Sequence, residues 1–305
     1  MAYSPPSSRF LRAARAAAVL LMVAGCAGRP GDVGALGPHA PIESIASPDA
    51  NLASLSDVIR QNPHDAHALN IRGTAFAQQG RYAEAINDFN AALRVNPDYV
   101  QALTNRALVE RRMGRADLAL ADYNTAISIN PSYAPALVGR GTLSRQAGRM
   151  NEAFADFERA IKIRSDDPQA FHNRGLIYQA QGRSDIAIDD FTTAIGLDPT
   201  APEPYYARGL AYLAGNDAKA AAEDFTEAIR LDIRFADAWA NRGVALEQLG
   251  QKDQAESSYQ RALNVDQNNA IARDGLNRLH GGGKPGGFSF FGIADLAPWN
   301  ALALS

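Results

Sequence analysis

AHALNIRGTAFAQQGRYAEAINDFNAALRVNPDY, residues 66–99, runs without a gap into VQALTNRALVERRMGRADLALADYNTAISINPSY, residues 100–133. Aligned on each other, these 34-residue strings agree in chemistry column by column, and the unit continues to residue 269 as six copies in all. Counting from the first residue of each copy, position 8 is small: Gly73, Ala107, Gly141, Gly175, Gly209 and Gly243. Position 24 is aromatic: Phe89, Tyr123, Phe157, Phe191, Phe225 and Tyr259. Alanine fills position 20, from Ala85 to Ala255, and position 27, from Ala92 to Ala262. A fixed period of about 20 to 50 residues is the signature of a solenoid.

The columns describe two antiparallel helices per unit. Apolar or small residues at positions 4, 8 and 11, and again at 20, 24 and 27, draw one stripe on each helix. Small residues let the backbones approach, and the aromatic ring fills the space beside them. Position 15 reverses the chain with Gly80, Gly114, Gly148, Gly182 and Gly250, and once with Asn216. Those two residue types best tolerate the left-handed conformation that ends a helix. Pro97, Pro131 and Pro199 at position 32 then stop the second helix.

On these residues the chain resembles the tetratricopeptide repeat family over about two thirds of its length. The resemblance implies an all-α, right-handed superhelical solenoid of six helix-turn-helix repeats over 66–269. Departures are small: Ser165, Ile233 and Gln267 replace the proline, and Ala107 replaces one glycine. Leu52, Leu55, Val58 and Ile59 predict an N-terminal partial repeat over 51–65 that caps the array. Ala270, Ala272, Arg273, Leu276 and Leu279 predict a C-terminal capping helix over 270–280.

Residues 1–25 read as a secretory signal, with Arg9, Arg12 and Arg15 before a short apolar run from Ala16 to Val23. The run is shorter than the roughly 20 residues a membrane span needs. Val23-Ala24-Gly25-Cys26 resembles a bacterial lipobox, and Cys26 is the only cysteine. The resemblance implies a lipid on Cys26 and on its amine; the alternative is an ordinary cleaved signal with a cysteine nearby. Several acyl chains anchor stably where one does not. Ala27 rather than aspartate after the cysteine implies, by enterobacterial sorting habit, an outer-membrane protein facing the periplasm. Residues 26–50 then form a flexible lipidated tether, of coil span roughly 25–30 Å. Residues 281–305 are a glycine-rich hinge followed by an apolar tail with Phe288, Phe290, Phe291, Trp299 and Leu304. That tail would fold onto the solenoid, dock a partner, or stay unstructured.

The net charge of −3 argues against nucleic acid as partner. Nothing predicts an enzyme, a metal or a cofactor. His39, His64, His67, His172 and His280 have no coherent spacing with carboxylates, and no second cysteine or nucleophile–base pair is present. Gly281 to Gly287 lacks the Ser/Thr that a phosphate loop carries after its lysine.

Position 7 is arginine in every copy: Arg72, Arg106, Arg140, Arg174, Arg208 and Arg242. Position 23 answers with Asp88, Asp122, Asp156, Asp190, Asp224 and then Ser258. An arginine stripe for an acidic ligand is one reading. A structural Arg–Asp ladder is favoured, because the aspartates recur in step. The family places its binding surface on the concave face of the first helices. Carried over, that surface includes Asn70, Thr74, Gln101, Thr104, Arg111, Arg112, Val138, Arg145, His172, Leu176, Tyr206 and Leu210. The alternative is that these are ordinary solvated helix positions. A basic cluster (Arg111, Arg112, Arg145) followed by an apolar floor suits an extended peptide with an acidic and then an apolar portion. The family's carboxylate clamp for chaperone C-termini needs lysines that this groove lacks. The whole is similar to NlpI-like envelope adaptor lipoproteins, which implies a scaffold for cell-wall hydrolases or a periplasmic protease. A pilotin-like assembly factor for a secretin or pilus is the alternative. Both bind other envelope proteins or peptides, and the repeats are compatible with a monomer or a homodimer.

Overall fold

A computed structural model describes residues 48–281. The signal peptide, Cys26, residues 27–47 and the tail from 282 lie outside the described residues. Within them the chain is helical throughout, with no strand. The partial repeat is α1 (Pro48–Gln61). The six repeats are α2 (Ala66–Gln78) with α3 (Tyr82–Val95), α4 (Val100–Arg112) with α5 (Ala116–Ile129), and α6 (Ala134–Gln146) with α7 (Met150–Ile163). Then come α8 (Pro168–Ala180) with α9 (Ser184–Leu197), α10 (Pro202–Ala214) with α11 (Ala218–Leu231), and α12 (Ala236–Gln248) with α13 (Lys252–Val265). The closing helix is α14 (Ala270–Leu279). Each first helix packs on its own second helix, and each second helix packs on the first helix of the next repeat. The array is the expected superhelical solenoid.

Every hairpin turns the same way. Gly80 has φ +74, so the Gly80 and Arg81 amides reach back to Ala77 O and Phe76 O at 3.1 and 2.9 Å, satisfying the carbonyls that end α2. Asn216, at φ 61, does the same work in the fifth repeat. Asp65, Asp217 and Asn269 cap the starts of α2, α11 and α14 with their side chains.

The ring at position 24 explains the glycine at position 8. A Cβ on Gly73 would lie 2.8 Å from Phe89 Cε1, and one on Gly209 would lie 2.7 Å from Phe225 Cε1. Phe89, Phe157, Phe191 and Phe225 are fully buried. Ala107 breaks the glycine column, and the compensation lies one repeat on. Tyr123 leans toward α6, where a Cβ on Gly139 would sit 2.3 Å from its Cζ. Tyr259, the other tyrosine of the column, meets Gly275 of α14 at the same 2.3 Å. Position 6 is thus glycine after a tyrosine, and Asn105, Asn173, Ala207 or Asn241 after a phenylalanine.

The arginine and aspartate columns pair within each repeat. Arg140 donates Nε and Nη2 to the two carboxylate oxygens of Asp156 at 2.8 and 2.7 Å. Arg72–Asp88, Arg106–Asp122, Arg174–Asp190 and Arg208–Asp224 repeat that two-pronged contact. The third arm reaches back to the preceding repeat: Arg106 Nη1 to Asn90 Oδ1 at 2.6 Å, Arg140 Nη1 to Asn124 Oδ1 at 3.0 Å, Arg208 Nη1 to Thr192 Oγ1 at 3.0 Å. Arg72 makes the same reach to Ser56 of α1 at 3.2 Å, which puts α1 in register as a second helix. Hydrogen bonding to Asp88 holds Arg72 above its ordinary value, and Asp122, Asp156, Asp190 and Asp224 do the same for their arginines. Burial nevertheless pushes the Asp224 carboxyl up against the pull of Arg208. At that rung desolvation offsets the attraction, and a buried ion pair of this kind fixes register more than it adds net stability.

Three expectations need correction. α1 starts at Pro48, inside the stretch assigned to the tether, because proline suits the first turn of a helix. Val58 is 46% exposed and leaves the apolar stripe to Leu52 and Ile59. Position 11 is not uniformly apolar either: Glu110 is buried and kept there by an ion pair with Arg115.

Asp156→Ala is expected to cost about 3 kcal/mol in denaturant titration, since it strands Arg140 in a half-buried site. Adding Arg140→Leu to it should recover most of that loss. Gly139→Ala is expected to cost about 1–3 kcal/mol by overpacking. Tyr123→Phe in that background should recover little, measured the same way, since ring carbons Cζ and Cε1, 2.3 and 2.4 Å from that Cβ, remain and Ala107 blocks the ring on the other side.

Candidate functional site

The first helices of successive repeats line a groove of about 820 Å³ spanning the second to fifth repeats. Four of the twelve residues assigned from sequence border it: Thr104, Arg111, Val138 and His172. Arg145 stands one turn beyond Thr142 of that lining and donates Nε to Asn173 Oδ1 at 3.0 Å. Arg112 is exposed at the end of α4, and Gln101 is half-buried at its start. Asn70 and Thr74 lie outside the groove, held by Asn105 Nδ2 at 3.2 and 3.3 Å.

The apolar floor expected beyond the basic cluster is not a surface. Leu176 and Leu213 are buried, and Leu210 packs against the core. Tyr206 stacks near Phe235 with ring centroids 4.7 Å apart, and its hydroxyl accepts from Asn241 Nδ2 at 3.1 Å. The reason is geometric. Positions 5 and 9 lie between neighbouring first helices, so a bulky apolar side chain there is absorbed by the stack.

Position 6, which the sequence reading passed over, contributes Asn105, Gly139 and Asn173 to the lining. Recurrence of asparagine in that column was the available signal. Asn105 donates both amide contacts toward α2, and its Oδ1 is buried as an acceptor without a partner. Thr104 Oγ1, Arg111 Nε and His172 Nδ1 are also buried without a hydrogen-bond partner. All four groups line this one groove. Buried polar atoms in folded proteins are nearly always paired, so a cluster of orphans on a concave surface marks a place for a hydrogen-bonding ligand.

The electrostatics are one-sided at the C-terminal ends of these helices. Arg111 and Arg145 have no carboxylate within ion-pair distance among the described residues. Burial and the charge of Arg111 push the Arg145 guanidinium below its ordinary value, although an arginine remains charged. Burial, with Arg145 adding to it, pushes His172 down to about 3, so its ring is neutral near pH 7. Burial raises the Tyr123 hydroxyl, and adjacent Arg111 works against that rise.

The folded state keeps His172 unprotonated where the unfolded chain, with a value of about 6.5, takes up a proton. Stability contributed by this neutral ring is complete above about pH 6.5 and falls as pH drops toward 3, at up to about 1.4 kcal/mol per pH unit. His172→Gln should gain stability relative to the parent between pH 7 and pH 5. Parallel denaturation curves at the two pH values measure that difference.

Profiles of the tetratricopeptide repeat family match residues 48–100, 72–135 and 172–233, and a further one matches 236–269. A TPR repeat profile covers 141–182. No curated protein matches the chain. Among solved structures, the APC/C hetero-tetramer Cut9–Hcn1 is similar at 18% identity and a TM-score of 0.70, over 76% of this chain. This chain spans 46% of that one. A tetratricopeptide repeat protein from Parabacteroides merdae shares 23% identity at a TM-score of 0.55, over 76% of this chain and 92% of its own. Pseudomonas aeruginosa pilF shares 15% identity at 0.62, over 76% of this chain and 99% of its own. At these identities the likeness speaks for fold, and the family profiles speak for descent. The chain belongs to the tetratricopeptide repeat family.

Proposed function

We propose that this protein is a non-catalytic scaffold of the bacterial envelope that holds an extended segment of a partner protein in its concave groove. One observation carries the reading. Thr104 Oγ1, Asn105 Oδ1, Arg111 Nε and His172 Nδ1 are buried, unpartnered and gathered on a single surface large enough for a peptide. A peptide backbone supplies both donors and acceptors for such a set. Repeats stacked into a rigid curve present that surface at little conformational cost.

The rest of the proposal concerns placement. Cys26 is acylated after removal of residues 1–25, and the tether through residue 47 keeps the array close to the outer membrane on its periplasmic side. Basic Arg9, Arg12 and Arg15, the short apolar run and the small residues before Cys26 support this. Partners are then envelope proteins, with cell-wall hydrolases or a periplasmic protease in first place.

Two substitutions separate the two halves of the proposal. Cys26→Ser should move the protein from the membrane to the soluble fraction of lysed cells. Leu108→Asp places a carboxylate beside Arg111 in the groove, and should abolish partner recovery after crosslinking while leaving the protein in the membrane. Membrane retention of the Cys26→Ser protein would refute the anchor. Undiminished recovery by the Leu108→Asp protein would refute the groove. Recovery of a secretin ring in place of hydrolases or a protease would refute the adaptor assignment.

A further inference from the structure

The two ends of the groove carry opposite net charge. At the C-terminal end of the first helices, Arg111 borders it and Arg145 stands one turn beyond Thr142 of the lining, both without a carboxylate partner among the described residues. At the N-terminal end, Asp167, Asp198 and Glu203 border it together with one cation, Arg164. Asp167 caps α8 through Gln169 N at 2.9 Å, and Asp198 accepts from Thr200 N at 3.0 Å. The nearby cation, Arg164, is taken by Asp166 at 2.8 Å. Burial raises the Asp167 carboxyl against the pull of its Gln169 N–H and of Arg164.

We propose that the groove reads a dipolar peptide: an acidic side chain seated between Arg111 and Arg145, and a basic side chain on the rim formed by Asp167, Asp198 and Glu203. The assignment rests on the peptide-groove reading above and adds the chemistry of the ligand. Geometry sets the spacing. From helix cap to position 12 the rise is about 16–18 Å at about 1.5 Å per residue. An extended chain climbs about 3.3 Å per residue, and the acids lie one to three repeats further along the stack, so the two charges stand at least about five residues apart. The peptide passes the arginine pair by its side chain and not by its terminus, because the lining continues from Thr104 in the second repeat to Pro204 in the fifth. The orphaned Asn105 Oδ1 and Thr104 Oγ1 lie along that path and take the backbone N–H groups of the intervening residues. His172, neutral, adds a hydrogen bond but no charge. The arginines of the ladder do not compete for the acid, since each holds its own aspartate apart from Arg242, which bonds the Thr226 and Ser258 hydroxyls.

The test is selection from a random dodecapeptide library displayed with free and with blocked C-termini, on the purified full-length chain. Sequences pairing Asp or Glu with Lys or Arg at least about five positions apart, enriched in both formats, are expected. Arg145→Gln should erase the preference for the acid and weaken the best peptide about tenfold or more. Asp167→Asn, which still caps α8, should erase the preference for the base. Circular dichroism of both variants shows that the repeats remain folded. Enriched peptides lacking either charge, or enriched only with a free C-terminus, would overturn the dipolar assignment and leave the peptide groove standing. Failure of the folded parent chain to enrich any peptide would overturn both.

Discussion

The contact on which the array depends is an aromatic ring at position 24 lying on a glycine at position 8. It brings two backbones close enough for alanines at 20 and 27 to fill the remaining space, and it leaves no room for a Cβ on Gly73, Gly141, Gly175 or Gly209. A hairpin built this way still has bare apolar surface on both flanks, so it must be covered by a neighbour. Helices α1 and α14 cover the two ends. Where the glycine becomes Ala107, the ring becomes Tyr123 and the vacancy moves to Gly139 in the next repeat. The steric rule survives by being shared across an interface.

Arginine serves this fold in two opposed ways. At position 7 five of the six guanidiniums are clasped by an aspartate sixteen residues on, and most are steadied by a polar side chain of the preceding second helix, as Arg106 is by Asn90. The same side chains lie against aromatic rings, as Arg174 does between Phe171 and Tyr178. This satisfies the arginine, so it has little left to offer a ligand. At position 12, Arg111 and Arg145 meet no carboxylate and push on each other. A cation left unanswered in a concave, partly dry place costs stability, and the cost is recovered only when an anion arrives. The contrast between the two columns separates structure from recognition.

Much of this was written plainly in the sequence. The six-fold period, the turn glycines and the pairing of positions 7 and 23 follow from sterics and charge that recur at fixed spacing, so columns alone expose them. The link from Tyr123 to Gly139 was harder, because nothing in a single repeat says that a ring leans on the following one. The groove was partly legible. Arg111, Arg145 and His172 stood out as polar residues on the inner face. Leu176 and Tyr206 looked equally inward-facing, yet the stack swallows them, since a stripe of side chains between parallel neighbours is interior and groove at once. Asn105 and Asn173 were missed because position 6 lies outside the columns that the family pattern assigns to the concave face, yet borders the groove here. Anchor and tail belong to residues outside 48–281, where the amino-acid sequence alone speaks.

The claim that recognition happens on the inner face is most directly tested by site-specific photocrosslinking in cells. A photoreactive amino acid would replace Leu108, which lines the groove, and in a second strain Leu118, which is 52% exposed on α5. The account predicts a discrete crosslinked partner at residue 108, lost when Arg111 and Arg145 are both changed to glutamine, and none at residue 118. Crosslinks that form at 118 and not at 108, or that persist at 108 without the two arginines, would contradict it.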